Sequence, residues 1–94
     1  MDVDDHGSAC ARLRTRDLSW QVAGDSIVVL DLQGSEYLRL NGTGRTIWEL
    51  LVEPRTVEEL VNIVMDEYDI DRDTATTDTE RFIDDLARRG LIER

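Results

Sequence analysis

The spacing of apolar residues changes once along this chain, near Asn41, and this change constrains the fold more than any other feature. Before Asn41, apolar and polar residues alternate as they do in strands, with turns at 23–25 and 33–35. After it, apolar residues recur every three or four positions, as on one face of a helix. A chain of 94 residues has room for one domain. We therefore expect strands first and helices second, packed into a single α+β domain.

Three short antiparallel strands are predicted in the first half of the chain. The first alternates over 18–22, the second is the β-branched run 27–32, and the third is 36–40. The third strand is the last before the chain leaves the sheet, so it has a neighbour on one side and a free edge on the other. Free edges are either blocked by charge and proline or used to bind a further strand. This edge has no proline and only Glu36 and Arg39 as charges, which leaves both uses open.

Three helices are predicted after the strands, each with a recognisable start or end. The first carries the apolar pair 47–48 and stops before Pro54, the second begins with a capping box at 56–59, and the third spans 71–90. Their apolar stripes predict a winged-helix-like domain, in which a three-stranded antiparallel sheet is followed by three helices that cover one of its faces. The stripes consist of Ile47, Trp48 and Leu51, then Val57, Leu60, Val61, Val64 and Tyr68, then Ala75, Thr79, Phe82, Ile83 and Leu86.

Charge argues against nucleic acid as a partner. The chain has 21 acidic and 11 basic residues, for a net charge of -10, and every basic residue is an arginine. Contacts from basic side chains to phosphates supply most non-specific affinity for nucleic acids. Winged helices that read DNA often use the third helix, yet 71–89 holds six carboxylates against four arginines. A winged-helix DNA-binding regulator therefore remains only as an alternative from a different class of function.

The sequence shows no catalytic or metal-binding pattern. Its only histidine and only cysteine, His6 and Cys10, lie in the polar stretch 1–17, which has neither strand nor helix period. We predict that this stretch is a flexible N-terminal arm, in which these two side chains have no rigid support, and that the folded domain is 18–94. A metal site needs three or four ligands at fixed spacing. We expect no enzyme activity, no cofactor and no metal.

Apolar runs are too short for a membrane span. The longest is 27–30, whereas a transmembrane helix needs about 20 residues. A single cysteine cannot form an internal disulfide, which agrees with a reducing compartment. We expect a cytoplasmic protein that does not bind membranes, either a monomer or a dimer paired through the free edge at 36–40.

Several segments, taken together and in order, resemble the PqqD-like family, the recognition elements of ribosomally made and modified peptides. The likeness covers about 19–93, and the stretch from Tyr-Leu-x-Leu-Asn to Ile-Trp-Glu-Leu-Leu is its most specific portion. The resemblance implies a non-catalytic domain that binds the leader segment of a precursor peptide as an antiparallel strand added to the third strand. The matching segments are 29–41, Gly44, 47–51, 55–60, Asp78, 82–83, Leu86 and 89–92.

The same resemblance implies which residues contact the leader. Thr79 departs from the family, whose members more often have an apolar residue there. We therefore expect the pocket at that position to differ from the pocket of those relatives. Read for packing alone, Phe82 and Leu86 are core residues and Asp78 is a solvated charge, while Trp20 fits either a core or a surface position. The implied strand edge is Glu36, Tyr37, Leu38, Arg39 and Leu40, and the implied wall on the third helix is Ala75, Asp78, Thr79, Phe82, Ile83 and Leu86.

As a short, free-standing chain, the protein is most similar to the stand-alone leader-binding proteins of lasso peptide pathways. There the partner enzyme would be a separate leader peptidase. The alternative within the family is pyrroloquinoline quinone synthesis, in which the precursor is presented to a radical S-adenosylmethionine enzyme. The sequence leaves open the leader sequence, the product class, the partner enzyme and the oligomeric state.

Overall fold

The computed structural model describes residues 10–93 as two small antiparallel sheets and three helices. In chain order the elements are β1 (Cys10–Leu13), β2 (Leu18–Ala23), β3 (Ser26–Asp31), β4 (Glu36–Leu40), α1 (Gly42–Leu50), β5 (Arg55–Thr56), α2 (Val57–Tyr68), α3 (Arg72–Arg88) and β6 (Ile92–Glu93). The larger sheet has the order β2-β3-β4 and the smaller one β5-β1-β6. The predicted α+β class, the three strands of the larger sheet and the three helices are confirmed. The smaller sheet was not predicted.

One face of the larger sheet forms part of the core. The strand registers place Trp20, Val29 and Leu38 side by side across β2, β3 and β4. Val29 is fully buried, and the two flanking residues are partly buried against the same core. The ring of Trp20 packs edge-on against Trp48 of α1, with the ring centroids 6.2 Å apart, so Trp20 belongs to the packed face of the sheet.

Side-chain caps begin α2 and α3 where the sequence predicts them. The Thr56 N–H donates to Glu59 Oε1 at 2.9 Å and the Glu59 N–H donates to Thr56 Oγ1 at 3.1 Å, which confirms the capping box. Asp71 caps α3, because its carboxylate accepts a hydrogen bond from the Thr74 N–H at 2.9 Å. Gly90 has a φ of 72°, the left-handed conformation that commonly ends a helix.

The smaller sheet is built around β1, which pairs with β5 on one side and β6 on the other. Ala11 and Leu13 of this strand are buried and belong to the core. The Leu13 N–H also donates to the Leu51 carbonyl at 2.8 Å, just after α1. The first strand therefore connects segments that are distant from it in the sequence.

The predicted flexible arm over 1–17 is wrong for the part that forms β1. A strand of four residues is too short to show a period by itself, and its partners in β5 and β6 lie more than 40 and 75 residues further along the chain. No local sequence pattern predicts strand pairing over such distances. Residues 1–9, and with them His6, lie outside the described residues, and the predicted flexibility of that segment stays a prediction.

The side chain of Arg14 ties three parts of the fold together. Arg14 Nη2 donates to Asp31 Oδ1 at 2.6 Å, and Arg14 Nη1 donates to the Gly90 carbonyl at 2.8 Å. Asp31 is only 3% exposed, and its carboxylate also accepts hydrogen bonds from the N–H groups of Gln33 and Gly34 in the β3–β4 turn. The hydrogen bond from Arg14 is the largest of the effects that lower the pKa of Asp31.

Acid should weaken the fold through Asp31. Because its pKa is lower in the folded than in the unfolded protein, its stabilising effect is complete above about pH 4 and is lost as the pH falls toward the lowered folded pKa. We expect Asp31→Asn to reduce the free energy of unfolding at pH 7 and to flatten its pH dependence below about pH 4. Urea unfolding of both proteins between about pH 2 and pH 7 measures this. Equal stability at pH 7 would contradict it.

Candidate functional site

The larger sheet has two edge strands, β2 and β4, and the predicted site is on β4, which is paired with β3 on one side only. Which backbone groups face that edge follows from one hydrogen bond, from the Leu32 N–H to the Asp17 carbonyl at 2.9 Å, which continues the β2–β3 ladder. The backbone of Leu32 thus points toward β2. In a regular antiparallel sheet this direction alternates from residue to residue, so Val29 points toward β4 and its partner Leu38 points back toward β3.

The same alternation assigns the remaining residues of β4. Glu36 and Leu40 point their N–H and C=O groups toward β3, as Leu38 does. Tyr37 and Arg39 lie between them, so their four backbone groups point to the free edge. The predicted edge residues therefore divide into three that hold β4 in the sheet and two whose backbone is open to another strand.

The side chains of β4 also divide by face. Leu38 and Leu40 are partly buried and pack against the core, as expected from their shared face. Tyr37 is 59% exposed on the opposite face of the sheet, where Arg39 Nε donates to Ser26 Oγ at 3.3 Å. A partner strand would thus pair with the backbone of β4 while the apolar side chains of β4 remain in the core.

The third helix lies opposite β4 and is not packed closely along it. At one end, Arg89 Nη1 is 3.1 Å from Glu36 Oε1, at the start of β4. At the other end, the ring of Phe82 lies beside Gly44 in the first turn of α1, where an added Cβ would be 3.3 Å from the ring. Since α1 directly follows β4, α3 runs antiparallel to β4. Gly44 leaves the space that the Phe82 ring occupies.

A cavity of about 480 Å³ lies between the start of α1 and this side of α3. Within α3, Asp78, Phe82, Asp85 and Arg89 are spaced i, i+4, i+7 and i+11, so they form one stripe along the helix. The first three of these residues line the cavity, and Arg89 extends the stripe toward β4. The cavity is lined by Thr43, Gly44, Asp78, Arg81, Phe82, Asp85 and Arg88.

The wall residues implied on α3 are divided between this cavity and the core. Asp78 and Phe82 face the cavity. The other four are at most 1% exposed and belong to the core face of the helix, so a ligand on the present surface does not reach them. They are Ala75, Thr79, Ile83 and Leu86. Sequence reasoning missed Asp85 and Arg89, although their helical spacing from Asp78 and Phe82 places them on the same stripe.

Ion pairs order the polar end of this stripe. Asp85 accepts a hydrogen bond from Arg89 Nε at 3.1 Å and from Arg88 Nη2 at 3.3 Å. The hydrogen bond to Asp85 is the largest cause of the raised pKa of Arg89, and the nearby Glu36 carboxylate raises this pKa further. The guanidinium of Arg89 is therefore charged and held on two sides.

The described residues offer backbone groups, an aromatic ring and paired charges, a set suited to an extended peptide. Within residues 10–93, no cluster of three or more His, Cys, Asp or Glu side chains is arranged to hold a metal ion. No helix in the described part of the chain is long and apolar enough to cross a membrane.

A family model matches most of the chain. The model described as coenzyme PQQ synthesis protein D (PqqD) matches residues 26–92, which include β3, β4 and all three helices. This chain belongs to the PqqD family. A search of curated proteins finds no match. The predicted resemblance to the PqqD family is thus confirmed by the family match.

Two solved structures resemble the chain over most of its length. TbiB1, in complex with the TbiA(beta) leader peptide, is 33% identical with a TM-score of 0.78, covering 87% of this chain and 94% of its own. A lasso peptide synthetase B1, complexed with the leader peptide, is 25% identical with a TM-score of 0.77, covering 89% and 98%.

A third structure supports the fold alone. It is the PqqD truncation of Methylobacterium extorquens PqqCD, described as a functional, stand-alone recognition element. It is 22% identical with a TM-score of 0.73, and the match covers 95% of this chain and 94% of that one.

Thr79 departs from the residue type that the family resemblance favours, and its burial makes the departure testable. The side chain is fully buried, and its Oγ1 has no hydrogen-bond partner. Burying an unpaired hydroxyl is costly. We therefore expect Thr79→Val, which keeps the shape, to raise the free energy of unfolding by about 1 kcal/mol.

Urea unfolding measures this change, and Thr77→Val is the matched control, because Thr77 is exposed on the same helix. The control should not be stabilised by a comparable amount. If Thr79→Val unfolds more easily than the wild type, the hydroxyl has a partner in solution.

Proposed function

We propose that this protein binds the leader segment of a ribosomally made precursor peptide as an antiparallel strand added to β4. The observation that carries the proposal is the pair of residues in β4, Tyr37 and Arg39, whose backbone N–H and C=O groups point to an unpaired edge. Two relatives that share most of this chain's length, at 33% and 25% identity, are described in complex with leader peptides.

Binding by strand addition tolerates many peptide sequences through the backbone and selects among them through side chains. The four free backbone groups of Tyr37 and Arg39 can form main-chain hydrogen bonds with many sequences, each worth about 1 kcal/mol net. Side chains on the added strand alternate in direction, so every second one points toward the α3 side. There the cavity beside Phe82 offers an apolar surface with charged groups around it. We expect dissociation constants between about 1 nM and 1 μM.

The protein performs no chemistry in this proposal. It holds a flexible precursor close to a separate enzyme and so raises the effective concentration of the precursor at that enzyme. The description of one leader-bound relative, a lasso peptide synthetase B1, favours a lasso peptide pathway. In such a pathway we infer that the partner enzyme is a separate leader peptidase. Binding would take place in the cytoplasm, where ribosomes release precursor peptides. The acidic α3 disfavours DNA as the ligand.

Proline at Arg39 tests the free edge directly. Arg39→Pro removes an N–H that points away from β3, so the sheet should remain folded while peptide binding weakens at least tenfold. Arg39→Ala removes the side chain but keeps the N–H, and it should bind within about threefold of the wild type. The measurement is calorimetric titration with overlapping 12-residue peptides tiled across the precursors encoded beside the gene.

Leu38→Pro is the second control, because the N–H of Leu38 points into the sheet. It should lower the melting temperature strongly, which Arg39→Pro should not do. If folded Arg39→Pro binds the peptide as tightly as Arg39→Ala does, strand addition to β4 is wrong. If no tiled peptide binds the wild-type protein, leader binding itself is contradicted.

A further inference from the structure

Arg89 makes a contact that strand addition does not require. Its side chain crosses from the end of α3 to the first residue of β4, where Nη1 is 3.1 Å from Glu36 Oε1. The two residues are 53 positions apart in the sequence. Asp85, one helical turn before Arg89, accepts a hydrogen bond from Nε at 3.1 Å and so orients the guanidinium toward β4. The bridge is therefore fixed from both the helix and the strand.

The bridge lies at the end of β4 toward which an added antiparallel strand would run. Tyr37, the first residue of β4 with a free backbone, directly follows Glu36. A strand antiparallel to β4 that pairs with Arg39 and then with Tyr37 would continue toward the Glu36–Arg89 ion pair. We propose that Arg89 is a positioning residue that closes this end of the groove and fixes where the bound leader strand leaves β4. The inference rests on the proposed leader binding.

The direction of the added strand determines which part of the precursor lies near Arg89. An antiparallel peptide has its N-terminal part near Leu40 and its C-terminal part near Glu36. A leader precedes the segment of the precursor that is modified, so the rest of the precursor leaves the protein at the Arg89 end. Arg89 thus sets the point at which the precursor becomes available to the partner enzyme.

The spacing of Phe82 and Arg89 along α3 predicts how many leader residues lie between the cavity and the point of exit. Phe82 and Arg89 are seven residues apart, a rise of about 10 Å on a helix. An extended strand covers that distance in about three residues. The leader side chain that enters the cavity beside Phe82 should therefore lie about three residues before the point of exit.

Stability alone does not account for the bridge. Glu36 and Arg89 are both partly exposed, and ion pairs of this kind contribute little to folding. Removing the bridge should leave the fold intact, which separates an effect on peptide position from an effect on folding.

The test uses the tightest-binding 12-residue peptide of the tiled set, labelled with ¹⁵N, and measures which of its amides are protected from hydrogen exchange in the complex. With the wild-type protein, protection should stop about three residues after the side chain beside Phe82. With Arg89→Gln, protection should extend about two residues further toward the C-terminus. Glu36→Gln should give the same extension, and the double variant should extend it no further, because the two residues act as one bridge.

Arg12→Gln is the matched control. Arg12 also forms an exposed ion pair with a glutamate, Glu93, at 3.3 Å, but both residues lie in the smaller sheet and neither lines the cavity. It should leave the limit of protection unchanged. If Arg89→Gln protects the same residues as the wild type, or abolishes binding, the proposed closing role is wrong. A wild-type complex in which the Tyr37 and Arg39 amides do not respond would instead contradict strand addition, and this inference with it.

Discussion

The alternation of backbone hydrogen bonds across β4 is the constraint on which the site depends. Each residue of an edge strand sends both of its backbone groups to the same side, so one half of β4 holds the strand in the sheet and the other half is left open. The backbone groups of Leu38 point toward β3, whereas those of its neighbours Tyr37 and Arg39 point to the open edge. The sheet can therefore accept a further strand without giving up any of its own hydrogen bonds.

Two arginines connect the helix wall to this edge. Arg14 joins the Asp31 carboxylate at the end of β3 to the Gly90 carbonyl just after α3. Arg89, the residue before Gly90, reaches Glu36, which is the partner of Asp31 in the β3–β4 register. The β3–β4 turn and the end of α3 are thus connected twice. The Arg14 link is largely buried and stabilises the fold, whereas the Arg89 link borders the groove.

The sequence predicts what depends on local spacing. Alternation predicted β2 and β4, a β-branched run predicted β3, and the capping box at Thr56 marked the start of α2. Features that depend on distant contacts were missed, because β1 and the Arg89 bridge are defined by partners far along the chain. The wall on α3 was predicted as one set of residues. Burial divides that set, since a helix shows one face to the core and only its flank to the groove.

Hydrogen exchange at the backbone amides of β4 tests strand addition most directly. In the free protein, the amides of Tyr37 and Arg39 should exchange quickly, while those of Leu38 and Leu40 should be protected by β3. With a bound leader peptide, Tyr37 and Arg39 should become protected as well, giving four protected amides in succession. If the peptide binds and these two amides still exchange quickly, the leader does not pair with β4.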